Sequence, residues 1–375
     1  MSSPFVYGRI ATGENFTDRE EETRTLARDF INLTNTILIS PRRWGKSSLV
    51  RQAAKEAVRL NGKIRFCFLD IFNVRTEDEF YEKLASEVIQ ATSSRIEELL
   101  ANISRYAASL IPLIQIGDPV NPLTLQFKTR EVRKNADIIL DLAERIATEK
   151  NMELVICIDE FQQIASFADP DAFQAKLRSH WQTHQHVAYC LYGSRRHMMI
   201  EVFNNREKPF FRFGKTLFLE KIAREKWPPF IMEKFEQTGK HISAAQCEQI
   251  ASLVDDNPYY IQQLSEEVWN LVQTETKEED IDQALETILC SQGSLNLALT
   301  NMLTITQQNL LHAIVAGEKG LTSARVMEQY GLKNSLTVQR AKNALVKQDI
   351  IDIFRKQVTL EDPIFARWLK EIYFR

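Results

Sequence analysis

Residues 153–159 place the strongest constraint on the fold of this 375-residue chain. They read Glu-Leu-Val-Ile-Cys-Ile-Asp, so five consecutive apolar residues stand between two carboxylates. An uninterrupted apolar run of this length is typical of a strand that is buried on both faces, as in a parallel sheet covered by helices. A chain with such a strand needs further strands beside it and helices on both sides of the sheet.

The first 223 residues contain those partners. Short apolar runs predict strands at residues 36–40, 64–70, 187–192 and 216–219, and helical patterns begin near residues 18, 47 and 77. This alternation predicts an α/β fold with an open parallel sheet. The stretch 92–130 is predicted to be an insertion, with one helix and a hairpin around Gly117.

The strand pattern stops near residue 224. Residues 224–302 predict an all-α segment, and residues 303–375 predict three helices followed by a two-stranded wing at 350–360. That order is typical of a winged helix-turn-helix. We therefore expect three domains, a sheet core at 1–223, a helical lid at 224–302 and a winged helix at 303–375.

The most informative motif is Ser40-Pro-Arg-Arg-Trp-Gly-Lys-Ser-Ser48, which lies where the first predicted strand gives way to a helix. It matches the P-loop pattern GxxxxGK[ST], except that Ser40 replaces the first glycine. In a P-loop the backbone N–H groups surround a phosphate, the lysine bridges the β- and γ-phosphates, and the hydroxyl reaches Mg²⁺. The motif predicts that Lys46 binds phosphate and that Ser47 binds the metal.

A second pair of groups suits the same chemistry. Asp159 and Glu160 end the apolar run, 113 residues after Lys46. Asp159 is the predicted Mg²⁺-side carboxylate, and Glu160 is the predicted general base that activates the attacking water. A third predicted strand ends at Ser194, whose hydroxyl could lie beside the γ-phosphate.

These motifs together resemble the archaeal-type ATPases, which are related to the STAND and origin-initiator branches of the AAA+ superfamily. The resemblance covers most of the chain and is carried by five segments, Asp18-Arg-Glu, Pro41-Arg-Arg-Trp-Gly-Lys-Ser-Ser-Leu, Ile158-Asp-Glu-Phe-Gln162, Tyr192-Gly-Ser194 and Asn257-Pro-Tyr-Tyr260. It implies a P-loop NTPase core of the AAA+ type that binds ATP or ADP with Mg²⁺ beneath a helical lid. It also implies a nucleotide-dependent rearrangement of the lid and the winged helix.

The resemblance assigns roles residue by residue. Ser194 becomes the sensor, Pro258 lies near the adenine, and the Asp18-Arg19-Glu20 segment lies near the base. The full set of expected nucleotide contacts is Asp18, Arg19, Pro41, Arg42, Arg43, Trp44, Gly45, Lys46, Ser47, Ser48 and Pro258. Positive charge for the transferred phosphate often comes from a neighbouring subunit in such enzymes, and the candidates are Arg195, Arg196 and Arg212.

Two positions depart from the family pattern, and both concern glycine. The chain has only 12 glycines, about 3% where ~7% is usual. Ser40 stands where relatives have glycine before the proline, and this substitution predicts slow turnover. Asp256 stands where Gly-Asn-Pro is common, so Asp256 and Asn257 are expected to form the turn, because both tolerate left-handed backbone.

The net charge of −3 is uneven, since residues 321–375 contain ten Lys or Arg against six Asp or Glu. The predicted helix from Ser335 to Lys347 should bury one face and expose another, and Arg355 and Lys356 add charge in the wing. The expected inner face is Leu336, Val338, Ala341 and Leu345, and the expected outer face is Gln339, Arg340, Lys342, Asn343 and Lys347. This face suits DNA, a partner protein or an autoinhibitory contact, or solvent.

Three functions remain open from the sequence. The first is a slow Mg²⁺-ATPase that acts as a switch through its lid and winged helix and that self-associates with ATP. The second is an ATP-gated DNA-binding regulator or initiator-like loader, and the third is a nucleotide-binding scaffold without hydrolysis. Five cysteines without a CxxC pair, and the absence of a signal peptide or a ~20-residue apolar span, predict a cytoplasmic protein.

Overall fold

In the computed structural model, which describes residues 2–107, 112–116, 123–127, 129–354 and 357–375, the chain divides into two units. We call the first the sheet unit, which comprises Arg19–Pro41 and Lys46–Glu220. The second, the helical unit, comprises Met1–Asp18, Arg42–Gly45 and Lys221–Arg375. The tip of the P-loop motif, Arg42–Gly45, therefore belongs to the helical unit.

The sheet unit contains seven strands within the described residues, β1 (Thr36–Ile39), β2 (Ile64–Asp70), β3 (Pro112–Ile116), β4 (Leu123–Phe127), β5 (Glu153–Asp159), β6 (Val187–Gly193) and β7 (Lys215–Phe218). Five of them form one parallel sheet in the order β2-β5-β6-β1-β7. The other two, β3 and β4, form an antiparallel hairpin in the predicted insertion. The hairpin's turn at Gly117 lies outside the described residues.

The parallel sheet explains the apolar run at 153–159. Strand β5 lies between β2 and β6, and Leu154 to Ile158 are each at most 1% exposed. Both faces of such a strand are covered, so a polar residue inside it would lose water without gaining a partner. The register pairs Asp70 with Asp159 and Ile39 with Gly193, so the carboxyl ends of four strands lie at one edge of the sheet.

Helices precede and connect these strands, and several begin at side-chain caps. Thr76 accepts from the Glu79 N–H at 3.2 Å, and Asp169 accepts from the Ala172 N–H at 3.1 Å, as preferred N-cap residues do. The helices are α1 (Glu20–Ile31), α2 (Lys46–Leu60), α3 (Glu77–Ala91), α4 (Ile96–Tyr106), α5 (Thr129–Lys134), α6 (Ala136–Leu140), α7 (Leu142–Glu149), α8 (Pro170–Trp181) and α9 (Arg196–Asn204).

The helical unit has its own apolar core. Its first four helices are α10 (Trp227–Glu236), α11 (Ala244–Leu253), α12 (Pro258–Leu271) and α13 (Glu278–Asn301). The winged helix follows with α14 (Ile305–Val315), α15 (Ala324–Gln329), α16 (Ser335–Lys347), β8 (Ile351–Phe354), β9 (Gln357–Leu360) and α17 (Pro363–Trp368). The fold class predicted from the sequence, a parallel sheet core with a helical lid and a winged helix, is confirmed.

One prediction for the winged helix is wrong. Leu336 was expected on the inner face of α16, but it is 60% exposed, whereas Val338, Ala341 and Leu345 are buried. The three buried residues follow the i, i+3, i+7 spacing of one helix face, and a residue two positions before Val338 lies about 200° around the helix from it. The predicted wing residues Arg355 and Lys356 lie outside the described residues.

All five cysteines are free thiols, and four of them are buried. Burial raises the pKa of the Cys67 thiol and, more modestly, that of Cys247, to about 12, so both remain protonated at neutral pH. Among the residues that the structure describes, no helix combines the length and the apolar character needed to cross a membrane.

Close packing at Gly214 gives a test of the sheet unit. A Cβ there would lie 2.3 Å from the Asn35 carbonyl oxygen, which is backbone and cannot move away cheaply. We expect Gly214→Ala to lower the free energy of unfolding by about 1–3 kcal/mol, as overpacking does. Thermal and urea unfolding measure the change.

Gly62→Ala is the matched control, because a Cβ at Gly62 would meet nothing within 4 Å and its φ is not left-handed. The control should leave stability unchanged or raise it by about 0.4–1 kcal/mol. Equal effects of the two substitutions would contradict the packing described at Gly214.

Candidate active site

The carboxyl end of β5 and the first turn of α2 bring together four predicted site residues. Lys46 Nζ lies 3.1 Å from Glu160 Oε1 and 3.8 Å from Asp159 Oδ1. The Ser47 hydroxyl donates to Asp159 Oδ2 at 2.6 Å. The lysine, the hydroxyl and both carboxylates, which are 112–114 residues apart in the chain, therefore form one cluster.

Glu160 is held by donors on both of its carboxylate oxygens. Lys46 donates to Oε1, while Gln162 Nε2 and the Ser194 hydroxyl donate to Oε2, the latter at 2.9 Å. Burial by itself would raise the pKa of Glu160, but the charge of Lys46 and these hydrogen bonds outweigh burial and lower it. The carboxylate is therefore ionised at neutral pH, as a general base must be.

Asp159 behaves differently from its neighbour. Burial is the largest influence on its pKa and raises it, and Lys46 and the Ser47 hydroxyl offset only part of this effect. A divalent cation beside the carboxylate would favour its charged form. Hard oxygen ligands of this kind suit Mg²⁺, so Asp159 and Ser47 fit the ion that the sequence motif predicts.

Backbone conformation explains which glycines the P-loop needs. Gly45 has φ +85°, a region that suits glycine, whereas Ser40 is not among the described residues with positive φ. Ser40 is fully buried, and its hydroxyl donates to the Pro41 carbonyl at 3.1 Å. The position that Ser40 occupies thus accepts a small side chain without strain. Slow turnover does not follow from this substitution on conformational grounds.

Arg43 adopts a left-handed backbone, with φ +66°, and contacts the lid and the winged helix within the helical unit. Its guanidinium donates to Asp362 Oδ2 at 2.7 Å and to the Tyr260 hydroxyl, which also donates to Asp362. The same guanidinium lies over the rings of Tyr259 and Tyr260, 4.8 and 5.1 Å from their centroids. Arg43 was predicted to contact nucleotide, and in this structure its guanidinium pairs with the Asp362 carboxylate.

The remaining predicted nucleotide contacts are distributed over both units. Asp18 and Pro258 belong to the helical unit, where Asp18 lies 3.5 Å from Lys226 and Pro258 begins α12 after the Asn257 cap. Arg19 belongs to the sheet unit, is 3% exposed and pairs with Glu22 at 2.7 Å. In the loop tip Arg42 is exposed, and Trp44 lies under Lys221. Pro41 and Ser48 are buried at either side of the loop.

The three candidate arginines differ in exposure. Arg196 is 6% exposed, so this conformation does not present it to a neighbouring molecule. Arg195 is half-buried, while Arg212 is exposed, has φ +54° and lies over the Phe211 ring at 5.1 Å. Among the three, Arg212 best meets the requirement that an arginine serving another subunit be accessible.

The turn before α12 differs from its prediction in one residue. Asp255 and Asp256 have left-handed backbone, with φ of 54° and 53°, whereas Asn257 has φ −79°. Asn257 instead caps α12 by accepting from the Tyr259 and Tyr260 N–H groups. An Asn that caps a helix takes extended backbone, so the turn moves one residue earlier. Asp256 also forms a bidentate pair with Arg224 at 2.9 and 2.7 Å.

Two kinds of comparison with known proteins agree with this architecture. Residues 16–264 match the model of a family described as an ATPase domain predominantly from Archaea, and residues 297–371 match a winged helix domain model. A search of curated proteins gives no match.

Solved structures share the fold at low sequence identity. A Walker-type ATPase of Pyrococcus abyssi is 18% identical, with a TM-score of 0.70 over 98% of this chain and 99% of that one. The Aeropyrum pernix ORC2 protein, solved with ADPNP and ADP, is 15% identical, with a TM-score of 0.61 over 98% and 96%. The ORC1 protein of the same organism, solved with DNA, is 13% identical, with a TM-score of 0.51 over 100% and 99%.

The fold and the Lys46 cluster define a P-loop ATPase of the AAA+ type with a helical lid and a winged helix. More particularly, the chain belongs to the family of ATPase domains found predominantly in Archaea. It is therefore an ATP-binding protein and an ATP hydrolase.

Three residues at these contacts, Gln162, Tyr260 and Asp362, had no predicted role. Gln162 and Tyr260 lie within motifs that carried the family resemblance, but their spacing alone does not show what they touch. Asp362 had one available signal, since Asp-Pro at 362–363 is typical of a helix start. Its contact with Arg43, 319 residues away, has no signal in the sequence.

The two ends of the P-loop motif should respond differently to substitution. Gly45→Ala should weaken binding of a fluorescent ATP analogue about 10-fold, because left-handed backbone costs an alanine ~1–2 kcal/mol. Ser40→Gly should leave affinity and turnover unchanged. Faster turnover by the Ser40→Gly variant would show that the missing glycine limits the enzyme after all.

Proposed function

We propose that this protein is a Mg²⁺-dependent ATPase that acts as a switch, in which nucleotide at the P-loop sets the position of the lid and the winged helix. The proposal uses three domains, a core at 1–223, a lid at 224–302 and a winged helix at 303–375. Lys46 binds the phosphates, Ser47 and Asp159 hold Mg²⁺, Glu160 activates water, and Ser194 senses the γ-phosphate. When bound, the ion would neutralise part of the negative charge of the phosphates.

The observation that carries the proposal is the contact of Arg43 with Tyr260 and Asp362. One P-loop side chain touches the lid helix α12 and the winged-helix element α17 at the same time. The residue that makes these contacts has left-handed backbone, which costs a non-glycine residue about 1 kcal/mol or more unless its surroundings stabilise it. The conformation of the loop and the position of the winged helix are therefore energetically coupled.

The strength of this contact suits a switch. The side chains of Arg43 and Asp362 are 44% and 30% exposed, so their ion pair contributes only about 0.2–1 kcal/mol. The aromatic rings under the guanidinium add about 0.5–1 kcal/mol. A total near 1–2 kcal/mol shifts an equilibrium about 5- to 30-fold, which nucleotide binding can override.

Asp362→Asn tests the switch while preserving local structure. Asp362 Oδ1 caps α17 by accepting from the Ile364 and Phe365 N–H groups, and an asparagine keeps this cap. The substitution removes the charge that faces Arg43. We expect release of a fluorescent ADP analogue to accelerate about 3- to 10-fold, as loss of ~1 kcal/mol of coupling requires.

Glu318→Gln is the matched control, since it breaks an exposed ion pair with Arg325 elsewhere in the winged helix. It should leave ADP release unchanged. The double variant Arg43→Gln/Asp362→Asn should behave like Arg43→Gln alone, because that substitution already removes the ion pair with Asp362 together with the ring contacts. ADP release at the wild-type rate in Arg43→Gln, in Asp362→Asn and in the double variant would refute the switch.

An ATP-gated DNA-binding regulator is the second candidate. Four polar side chains of α16, Gln339, Arg340, Asn343 and Lys347, are exposed as a DNA-reading helix requires. The A. pernix ORC1 protein, solved in complex with DNA, has the same fold. Self-association in the ATP state, with Arg212 reaching the site of a neighbouring copy, is compatible with either function.

Duplex binding measured across a salt titration separates the two candidates. If α16 contacts DNA phosphates, Arg340→Ala/Lys347→Ala removes two of these contacts. The slope of log affinity against log salt concentration should then become shallower by about two. Arg59→Ala, an exposed arginine of α2, should leave it unchanged. Absence of duplex binding at low salt with ATP present would exclude the DNA-binding role.

A further inference from the structure

The three donors to Glu160 differ in what else they can bind. Lys46 and Ser194 belong to motifs whose proposed partners are the phosphates of ATP. Gln162 lies in the 3-10 turn Phe161–Ser166 and is 4% exposed, so its amide is enclosed by protein. When ATP draws Lys46 and Ser194 toward its phosphates, Gln162 is the one of these three donors that stays on Glu160.

The position of Gln162 depends on Gly193. A Cβ at residue 193 would lie 1.9 Å from Gln162 Oε1 and 2.9 Å from Met199 Sδ. The φ of Gly193 is not left-handed, so this glycine provides space and not an unusual backbone conformation. Within the described residues Gln162 Oε1 has no hydrogen-bond partner, so steric fit against Gly193 and the bond to Glu160 hold the amide in place.

We propose that Gln162 is a positioning residue for ATP hydrolysis, and that Gly193 makes room for it. Gln162 holds Oε2 of Glu160 and thereby directs Oε1, which Lys46 occupies in this structure, toward the attacking water. This inference rests on the proposed role of Glu160 as the base.

The two carboxylate oxygens of Glu160 have different roles in the hydrolysis step. The water oxygen bonds to the γ-phosphorus while the bond from that phosphorus to the ADP oxygen breaks. One water proton passes to Glu160 Oε1 and is later released to solvent. Oε2 keeps the hydrogen bond from Gln162 throughout, so the carboxylate cannot rotate away from the water.

The first test is Gln162→Met, which keeps the length of the side chain and removes the donor. We expect kcat to fall about 10-fold or more, as misdirection of a general base does, with KM for ATP unchanged. Affinity for a non-hydrolysable fluorescent ATP analogue, which needs no turnover, should also be unchanged. This split separates positioning from general damage to the fold, which would weaken binding as well.

Gln163→Met is the matched control. The amide of Gln163 binds the Val74 carbonyl and the Ser166 hydroxyl at 3.2 and 3.0 Å, away from Glu160. The control makes the same chemical change one residue along the chain but leaves the hydrogen bonds of Glu160 intact. The kcat of Gln163→Met should therefore equal that of the wild type. A fall in kcat of the same size in both variants would overturn the inference.

The second test is a double-mutant cycle with Gly193→Ala. The added methyl group should displace the Gln162 amide and lower kcat about as much as Gln162→Met does. In a Gln162→Ala background the same methyl group should have little further effect, because the side chain it displaces is gone. Fully additive losses would show that Gly193 does not act through Gln162.

Glu160→Gln distinguishes failure of this inference from failure of the proposed function. Phosphate release that persists in Glu160→Gln would overturn the assignment of the base itself. If Glu160→Gln abolishes release while Gln162→Met retains wild-type kcat, the base assignment stands and the positioning role is overturned.

Discussion

The buried pairing of Lys46 with Asp159 and Glu160 is the interaction around which the site is organised. Lys46 is 9% exposed, and a buried ammonium is stable only beside carboxylates or other acceptors. Its charge lowers the pKa of Glu160 and partly offsets the effect of burial on Asp159. The apolar strand β5 sets this arrangement, because its buried interior excludes carboxylates and Asp159 therefore stands at its carboxyl end, beside Lys46 at the start of α2.

The sheet and the Lys46 cluster could be predicted because each depends on short continuous motifs in the sequence. The apolar run at 153–159 forms β5 with the predicted bounds, and helix α16 has its predicted bounds as well. A P-loop motif after one strand and a carboxylate pair after another meet at one sheet edge by the geometry of parallel strands. The parallel arrangement of the strands therefore allows the position of the Lys46 cluster to be predicted from two local sequence motifs.

Contacts that depend on tertiary packing could not be predicted in the same way. The prediction for the inner face of α16 was right for Val338, Ala341 and Leu345 and wrong for Leu336 alone, because the residues that anchor the helix decide which of its apolar side chains are buried. The contact of Gln162 with Gly193 needs the spacing between two adjacent strands, and the contact of Arg43 with Asp362 needs the docking of the winged helix. The sequence shows such residues as motif members, but it does not show their partners.

Arg43 and Glu160 share a feature that links the two proposals. Both are non-glycine residues with left-handed backbone, φ +66° and +56°, and both bind by side-chain hydrogen bonds to groups outside their own loop. Such backbone persists only where surrounding contacts stabilise it. In the proposed mechanism ATP competes for Lys46, one of the donors that hold Glu160. Under the two proposals, nucleotide would therefore act on both strained positions, and one binding event would direct the base and shift the winged helix.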